Sequence, residues 1–561
     1  MKSPSTPVTV EHDLAVPMRD GVVLRADVFR PGGGGIHPTL LHRSPYDKSQ
    51  PQISATFNPV GVARRGFLVV VQDTRGRFAS AGEWEPLCHE REDGYDTVEW
   101  AARLPGSSGR VGMYGGSYCG STQWMAALEQ PPSLAAIAPM MTWSEPLDGL
   151  LARGGALELG LALPWALSVG AANLPRNGDL LAELRHRLEA LLDEYDALPE
   201  RGYWQLPVED SRLLATHDVP DLGMSAMRLE PALAARSRVV GHHDRVAVPS
   251  LHIGGWYDLF LQGTLDNFTA MAELDRPARL VVGPWRHGDT RLLNPPGELD
   301  LGIRANGLGV PVHEEGDLDD LQLAWFRRAL GAAGAEPEPE RAPVRIFVMG
   351  RNAWRDEQGW PLTRARQERW FLAADGGLMP RPPETGAEPT EFEHDPSDPV
   401  PTVGGQTMLH VGLPPGVFDQ RRIESHPNLL TFTSEPLQRD LEVTGRLRVV
   451  LHAQSSAPSA DWVARLCDVH PDGRSFNLCD GIKRIPNGAE APAAVEIDLW
   501  STSNVFLAGH RLRVHVCGSN FPRWDRNLGT GEPDAEAARP ARQWIFHDSE
   551  RASFIELPVI T

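Results

Sequence analysis

The chain has 561 residues, 41% hydrophobic and 23% charged, with sixteen Trp; this is more than one core usually serves, and the composition excludes a disordered protein. Its formal net charge of −20, from 74 acidic and 54 basic residues with no Lys/Arg block, excludes a nucleic-acid surface as the expected partner. Cys88, Cys119, Cys467, Cys479 and Cys517 are too scattered for a disulfide framework or a zinc pattern, and Met1–Glu11 lacks the apolar run of a secretory signal, so a reducing, cytoplasmic setting is expected.

From Val8 to Trp143, short β-rich runs alternate with helical stretches, as in a largely parallel sheet wrapped by helices. Strands are predicted at Gly21–Phe29, Thr39–His42, Phe67–Gln72 and Ala135–Met141, with a helix at Asp93–Arg103 where Tyr95, Val98, Ala101 and Ala102 recur at helical spacing. Strand signals then lapse until Ser250. The longest apolar stretch, Gly155–Leu174, carries Glu158 and Pro164, which predicts a buried or lid helix and no membrane span. Asp179–Leu192 places Leu180, Leu181, Leu184, Leu188, Leu191 and Leu192 on one face of an amphipathic helix. Strands resume at Ser250–Ile253 and Ala278–Val282. The middle, 144–243, therefore reads as a helical cap inserted between two parts of one α/β domain, 1–143 and 244–335.

A helix over Leu318–Leu330 precedes Gly331–Pro343, whose Gly, Ala, Pro and Glu content reads as a linker. Beyond it, over 336–561, the runs Val344–Val348, Arg446–His452, Trp462–Asp468, Ala494–Leu499 and Arg511–Val516 alternate between turn residues and predict an antiparallel β-sandwich.

Val111–Gly120 runs from a short strand into a Gly-rich turn, and Ser121–Leu128 has helix-forming composition. Strand, sharp turn and helix are what a weakly nucleophilic hydroxyl needs to be presented to a base, which makes Ser117 the candidate nucleophile. Gly115 and Cys119 are its small neighbours, although the second glycine of a Gly-x-Ser-x-Gly pattern falls one residue late, at Gly120. Alone, the motif also fits a glycine turn with an incidental serine. An acid and a histidine should follow on loops after later strands. Asp258 follows Ser250–Ile253 through Gly254–Tyr257, and His287 follows Ala278–Val282 through Gly283–Arg286. Singly these are ordinary turn and surface residues; in this order they complete a triad. Among the competitors, Asp266 falls in a helical stretch, Asp289 shares the loop of His287, and His242, His243 and Asp244 precede their strand, at the wrong end of a parallel sheet; His313 lies further on. A developing oxyanion needs donors. The Tyr118 N–H is one, and the loop Ser44–Lys48 offers the Tyr46 phenol, which could equally be a tyrosine packed in a turn.

Together, Pro45–Tyr46–Asp47–Lys48, Gln72–Asp73–Thr74–Arg75–Gly76, Gly115–Gly120, Gly255–Trp256–Tyr257–Asp258 and Gly283–Pro284–Trp285–Arg286–His287 resemble the cocaine esterase-like serine hydrolases, relatives of α-amino-acid ester hydrolases and X-Pro dipeptidyl peptidases. The resemblance continues through Val348–Met349–Gly350, Asp395–Pro399 and Ser501–Phe506. It implies an α/β-hydrolase domain with an inserted helical cap and a C-terminal β jelly-roll sandwich. It further implies Ser117 as nucleophile, His287 as general base then acid, Asp258 as its orienter, and the Tyr46 hydroxyl and Tyr118 N–H as oxyanion donors. Trp165, Phe260 and Leu409 occupy positions similar to acyl-pocket walls. The resemblance is faint in the cap, which leaves the substrate open. A serine carboxylesterase for small acyl esters, aromatic ones included and needing no metal or organic cofactor, is the leading expectation. An X-Pro dipeptidyl aminopeptidase or α-amino-acid ester hydrolase is the alternative. There Glu209–Asp210 or Glu314–Glu315 would hold the substrate ammonium, although solvated surface charge is the plainer reading of both pairs. A non-catalytic carbohydrate-binding protein is the alternative from another class. The oligomeric state stays open, a homodimer among the options.

Overall fold

The computed structural model describes residues 7–50, 57–174, 181–208, 212–219, 231–290, 297–332, 341–383, 386–408, 410, 412–532 and 535–561. Its strands begin with β1 (Val8–Pro17), β2 (Val23–Pro31), β3 (His37–Ser44), β4 (Leu68–Asp73), β5 (Ser107–Gly116) and β6 (Leu134–Met140). A short hairpin follows, β7 (Ala152–Arg153) with β8 (Ala156–Leu157), and then β9 (Ser250–Tyr257), β10 (Ala278–Arg286), β11 (Val344–Val348) and β12 (Ala353–Glu357). Apart from the hairpin these build one ten-stranded sheet in the order β1-β2-β4-β3-β5-β6-β9-β10-β11-β12. The run from β4 to β11 is parallel, and the antiparallel pairs are β1/β2, β2/β4 and β11/β12. In β4 every residue is buried, and its period of two sends Val69 and Val71 to one layer and Leu68 and Val70 to the other. Phe326, from the helix Leu318–Ala329, fills the first layer. Val98 and Trp124, from the helices Glu90–Ala102 and Tyr118–Leu128, fill the second.

Two departures from the sequence reading matter for the site. β9 and β10 run on through their Gly-Gly-Trp-Tyr and Gly-Pro-Trp-Arg segments, so Asp258 and His287 leave directly from neighbouring strand ends. The run Val344–Val348, expected in the sandwich, is instead the last parallel strand of the ten-stranded sheet, with Leu280 paired to Val344. The physical reason is its content: Val344, Ile346, Phe347 and Val348 are all buried, as in a strand covered on both faces, and the helix Leu318–Ala329 between β10 and β11 makes a β-helix-β crossover. Sequence from 336 onward therefore does not enter the sandwich at once; the ten-stranded sheet closes with β12.

Between β6 and β9 the chain is mainly helical. The helix Leu159–Asn173 keeps Pro164 inside it and buries ten of its residues. In the helix Leu181–Asp196 Leu191 is buried, while Leu181, Leu188 and Leu192 of the expected apolar face are exposed. No described helix is long and apolar enough to cross a membrane.

After β12 come two antiparallel sheets. One contains Ala365–Leu372, Leu441–Ser455, Ala493–Phe506 and Phe554–Ile560; the other consists of Leu429–Thr433, Ala460–Val469, Ser475–Ile485 and Arg511–Cys517. Val449, Leu451 and Ile497 of the first share a core with Leu466, Leu478 and Val514 of the second. That core also takes in Trp256, Tyr257 and Leu265 from the α/β part.

Candidate active site

β5 ends at Gly116 and the helix Tyr118–Leu128 begins two residues later, so Ser117 alone makes the turn, with φ 60° and ψ −128°. A non-glycine residue held there costs about 1–3 kcal/mol and persists only where its surroundings over-determine it. Here the Ser117 N–H donates to the Met140 carbonyl at 3.0 Å, and the Thr142 hydroxyl donates to the Ser117 carbonyl at 2.9 Å. Gly115 has φ 128°, and a Cβ on it would lie 2.8 Å from Cys119 Cβ and from the His42 ring. A Cβ on Gly120 would lie 2.8 Å from Thr142 Cβ. The late second glycine thus serves close helix packing, and a residue as small as Cys119 suffices where a glycine was expected.

The His287 imidazole engages the Asp258 carboxylate through Nδ1 at 2.6 Å. Asp258 is fully buried, and its other oxygen has no hydrogen-bond partner among the described residues. His287 and Ser117 line the same cleft of about 540 Å³. Three of the competing residues are engaged elsewhere. His243 shares a 2.9 Å hydrogen bond with Asn267, Asp289 accepts from Arg286 at 2.9 Å, and Asp266 accepts from Gln262 at 2.7 Å.

Tyr46 stands on the loop after β3 and reaches the same cleft. The loop is tied down at both ends: Arg77 Nε donates to the Pro45 carbonyl at 2.8 Å, and the Lys48 N–H donates to Asp73 at 2.7 Å. Burial raises the Tyr46 phenol well above its ordinary pKa, so it stays a donor. The Trp165 indole N–H donates to its oxygen at 3.2 Å. Tyr118 is the first residue of its helix, so its N–H has no intrahelical acceptor and sits at the positive end of the helix dipole. Its side-chain hydroxyl donates to Glu90 at 2.8 Å and accepts from the Leu87 N–H at 2.9 Å. Arg43 Nη1 donates to the other Glu90 oxygen at 2.7 Å, which makes a buried chain from β3 to the residue after the serine. His42, beneath the turn, is pushed down to about 4 by burial and is therefore neutral, with Nδ1 on the Tyr114 carbonyl.

Beside Ser117 a smaller pocket is walled by Trp143, Leu150, Leu161, Trp165, Phe260 and Met408. Trp165 and Phe260 both line this pocket, and Phe260 also packs edge-on against His287 at 5.1 Å. Leu409 lies outside the described residues; its neighbour Met408 lines both pocket and cleft. Sequence reasoning missed His42, Trp143, Leu150, Leu161 and Met408. Position just past a strand could have flagged Trp143, but the others are brought in by long-range packing. No acidic side chain lines the cleft or the pocket among the described residues. Glu209–Asp210 lies outside the described residues, Glu314 is exposed, and Glu315 is ion-paired with Arg328 at 2.7 Å and Arg341 at 3.2 Å.

Residues 20–289 match the family model of the X-Pro dipeptidyl-peptidase (S15 family), and residues 338–556 match that of the X-Pro dipeptidyl-peptidase C-terminal non-catalytic domain. The chain is 35% identical to the cocaine esterase of Rhodococcus sp. (strain MB1 Bresler) over 599 aligned positions, covering 98% of this chain and 99% of that protein. Among solved structures, an aminopeptidase from a marine sediment Thaumarchaeota archaeon aligns with a TM-score of 0.76 at 25% identity over 100% of this chain and 98% of its own. An α-amino acid ester hydrolase aligns with the same TM-score of 0.76 at 24% identity over 99% of this chain and 97% of its own, a likeness of fold. A near-full-length relative at this identity, together with the two family models that this chain matches, settles the membership: the chain belongs to the cocaine esterase-like serine hydrolases of the X-Pro dipeptidyl-peptidase (S15) family, with an α/β-hydrolase fold.

Proposed function

We propose that the protein is a carboxylesterase that transfers a small, uncharged acyl group, aromatic ones included, to Ser117 and then to water. In this reading His287 Nε2 takes the proton of the Ser117 hydroxyl as it attacks the ester carbonyl. Asp258, bonded to Nδ1, fixes the tautomer and balances the imidazolium. The Tyr46 hydroxyl and the Tyr118 N–H donate to the developing oxyanion, and the proton returns from His287 to the departing alcohol. The bond to Ser117 forms first, the ester C–O bond breaks as the resulting tetrahedral oxyanion collapses, and water repeats the sequence to release the acid.

One observation carries the reading: an elbow serine and an Asp–His pair open onto a cleft whose acyl side is aromatic and aliphatic, with no carboxylate among its described lining residues. A free α-amine on the acyl group would enter as an ammonium and need an acidic partner to offset its desolvation. An ester of an uncharged acid needs none. The test is hydrolysis of p-nitrophenyl acetate, butyrate and benzoate, and of matched free and N-acetylated amino-acid esters, by wild type and Ser117→Ala. The variant is expected to lose about 10⁴-fold or more in kcat, and N-acetylation is expected to preserve turnover. Undiminished activity of Ser117→Ala, or strict dependence on a free amine, would overturn the reading.

A further inference from the structure

We infer that Trp165 is a positioning residue for the oxyanion donor, in addition to being a wall of the acyl pocket. The inference rests on the assignment of Tyr46 as that donor. Trp165 lies on the helix Leu159–Asn173, and its Nε1 is 3.2 Å from the Tyr46 oxygen. The direction of this hydrogen bond is unambiguous, because an indole N–H can only donate. The phenol oxygen therefore accepts on one lone pair, and its single proton must be given elsewhere. Ser117 lines the same cleft and the same smaller pocket as Tyr46, and the Tyr118 ring stands edge-on to the Tyr46 ring at 6.4 Å. With the indole N–H taking one side of the oxygen, the Tyr46 proton is left for the cleft side, where an acyl oxygen on Ser117 would carry charge.

This is preorganisation. A phenol free to spin in an apolar cleft would have to find its direction during each turnover, whereas one held by a donor is already aligned. Accepting from the indole also polarises the phenol O–H and strengthens the bond it gives. The same side chain faces the acyl pocket, and its ring lies 6.4 Å from that of Tyr118. Acyl recognition and oxyanion stabilisation thus meet in one residue of the inserted segment, so the docking of that helix sets the direction of the Tyr46 proton.

The test separates wall from donor. Trp165→Phe keeps an aromatic wall and deletes the N–H; a second variant, with the indole N–H replaced by sulfur, keeps the full bicycle. Both are expected to lower kcat about 10-fold, the worth of one buried hydrogen bond, with KM little changed and the same loss on acetate and benzoate esters. A wall-only role predicts a loss that scales with acyl size and leaves the sulfur variant unchanged. In a Tyr46→Phe background neither variant should lower kcat further, since the partner is gone. An equal further loss there, or full activity of the sulfur variant, overturns the inference. If Tyr46→Phe alone leaves kcat untouched, the donor assignment itself falls, and the inference falls with it.

Discussion

At the scale of single residues, the strained serine turn depends on what its neighbours lack. Gly115 combines φ 128° with a Cβ position already filled by Cys119 and the His42 ring. Gly115→Ala is therefore expected to push the turn apart, lowering stability by about 2–3 kcal/mol from backbone strain alone and removing ester hydrolysis with it. A urea midpoint and a p-nitrophenyl acetate assay on one preparation would show both, and an unchanged midpoint would mean that the turn relaxes without cost. How far such detail could be read beforehand varies by residue. The cleft shared by Ser117 and His287 and the bond from His287 to Asp258 were legible because an order along the chain and a place after a strand are both visible in one dimension. Met408 and Leu161 were not, since each enters the pocket from a segment with no local signature of a wall. The small residue needed beside the serine was legible, but the reason Gly120 could come late was not: it lies in the contact with Thr142, which only the folded chain brings near.

Between elements, the turn at Ser117 is braced by a buried ion pair. Arg43 on β3 holds Glu90 at the start of its helix, and Glu90 holds the hydroxyl of Tyr118, the first residue of the next helix. Arg43 also donates to Gln72 on β4 at 2.8 Å. Removing one partner of such a pair leaves the other charge buried and uncompensated, a loss of about 3–5 kcal/mol. Arg43→Met, which keeps the apolar stem, is expected to fall in that range by denaturant unfolding, whereas the double variant Arg43→Met, Glu90→Gln should recover part of it. No recovery would mean that Arg43 acts through its contact with Gln72 and not through Glu90. None of these contacts shows in the sequence, because a charged residue inside a strand pattern reads as exposed until its partner is known. The same limit explains β11. Its apolar run was read correctly as a strand, but the sheet it joins depends on the crossover through the helix Leu318–Ala329, and local alternation carries no information about that.

Across the whole molecule, the sandwich and the α/β part share more than a chain crossing. Tyr257, immediately before Asp258, donates its hydroxyl to the Asn477 carbonyl at 3.3 Å, and Gln406 donates to the Trp256 carbonyl at 3.0 Å. Asp258 therefore leaves a strand end whose support comes from the antiparallel sheets. The hairpin β7/β8 adds a second attachment. Arg153 is buried, stacks 3.8 Å from the Trp500 ring and donates to the Asp480 carbonyl, while Glu158 accepts from the Trp524 indole at 2.8 Å. Burial pushes the Arg153 guanidinium down to about 10, which leaves it charged at neutral pH and in need of those aromatic and carbonyl partners. Long chains made of several units commonly unfold in separate steps. Here one continuous core takes in Trp256 and Tyr257 together with Val449 and Leu466, so unfolding the sandwich would expose the support of Asp258. Calorimetry is therefore expected to give a single transition whose van't Hoff and calorimetric enthalpies agree, with esterase activity lost at the same temperature. Arg153→Ala should move that transition down as a whole without splitting it, because the attachment it removes belongs to both parts. Two resolved peaks, with activity surviving the first, would mean that the α/β part holds the Asp258 loop without the sheets behind it.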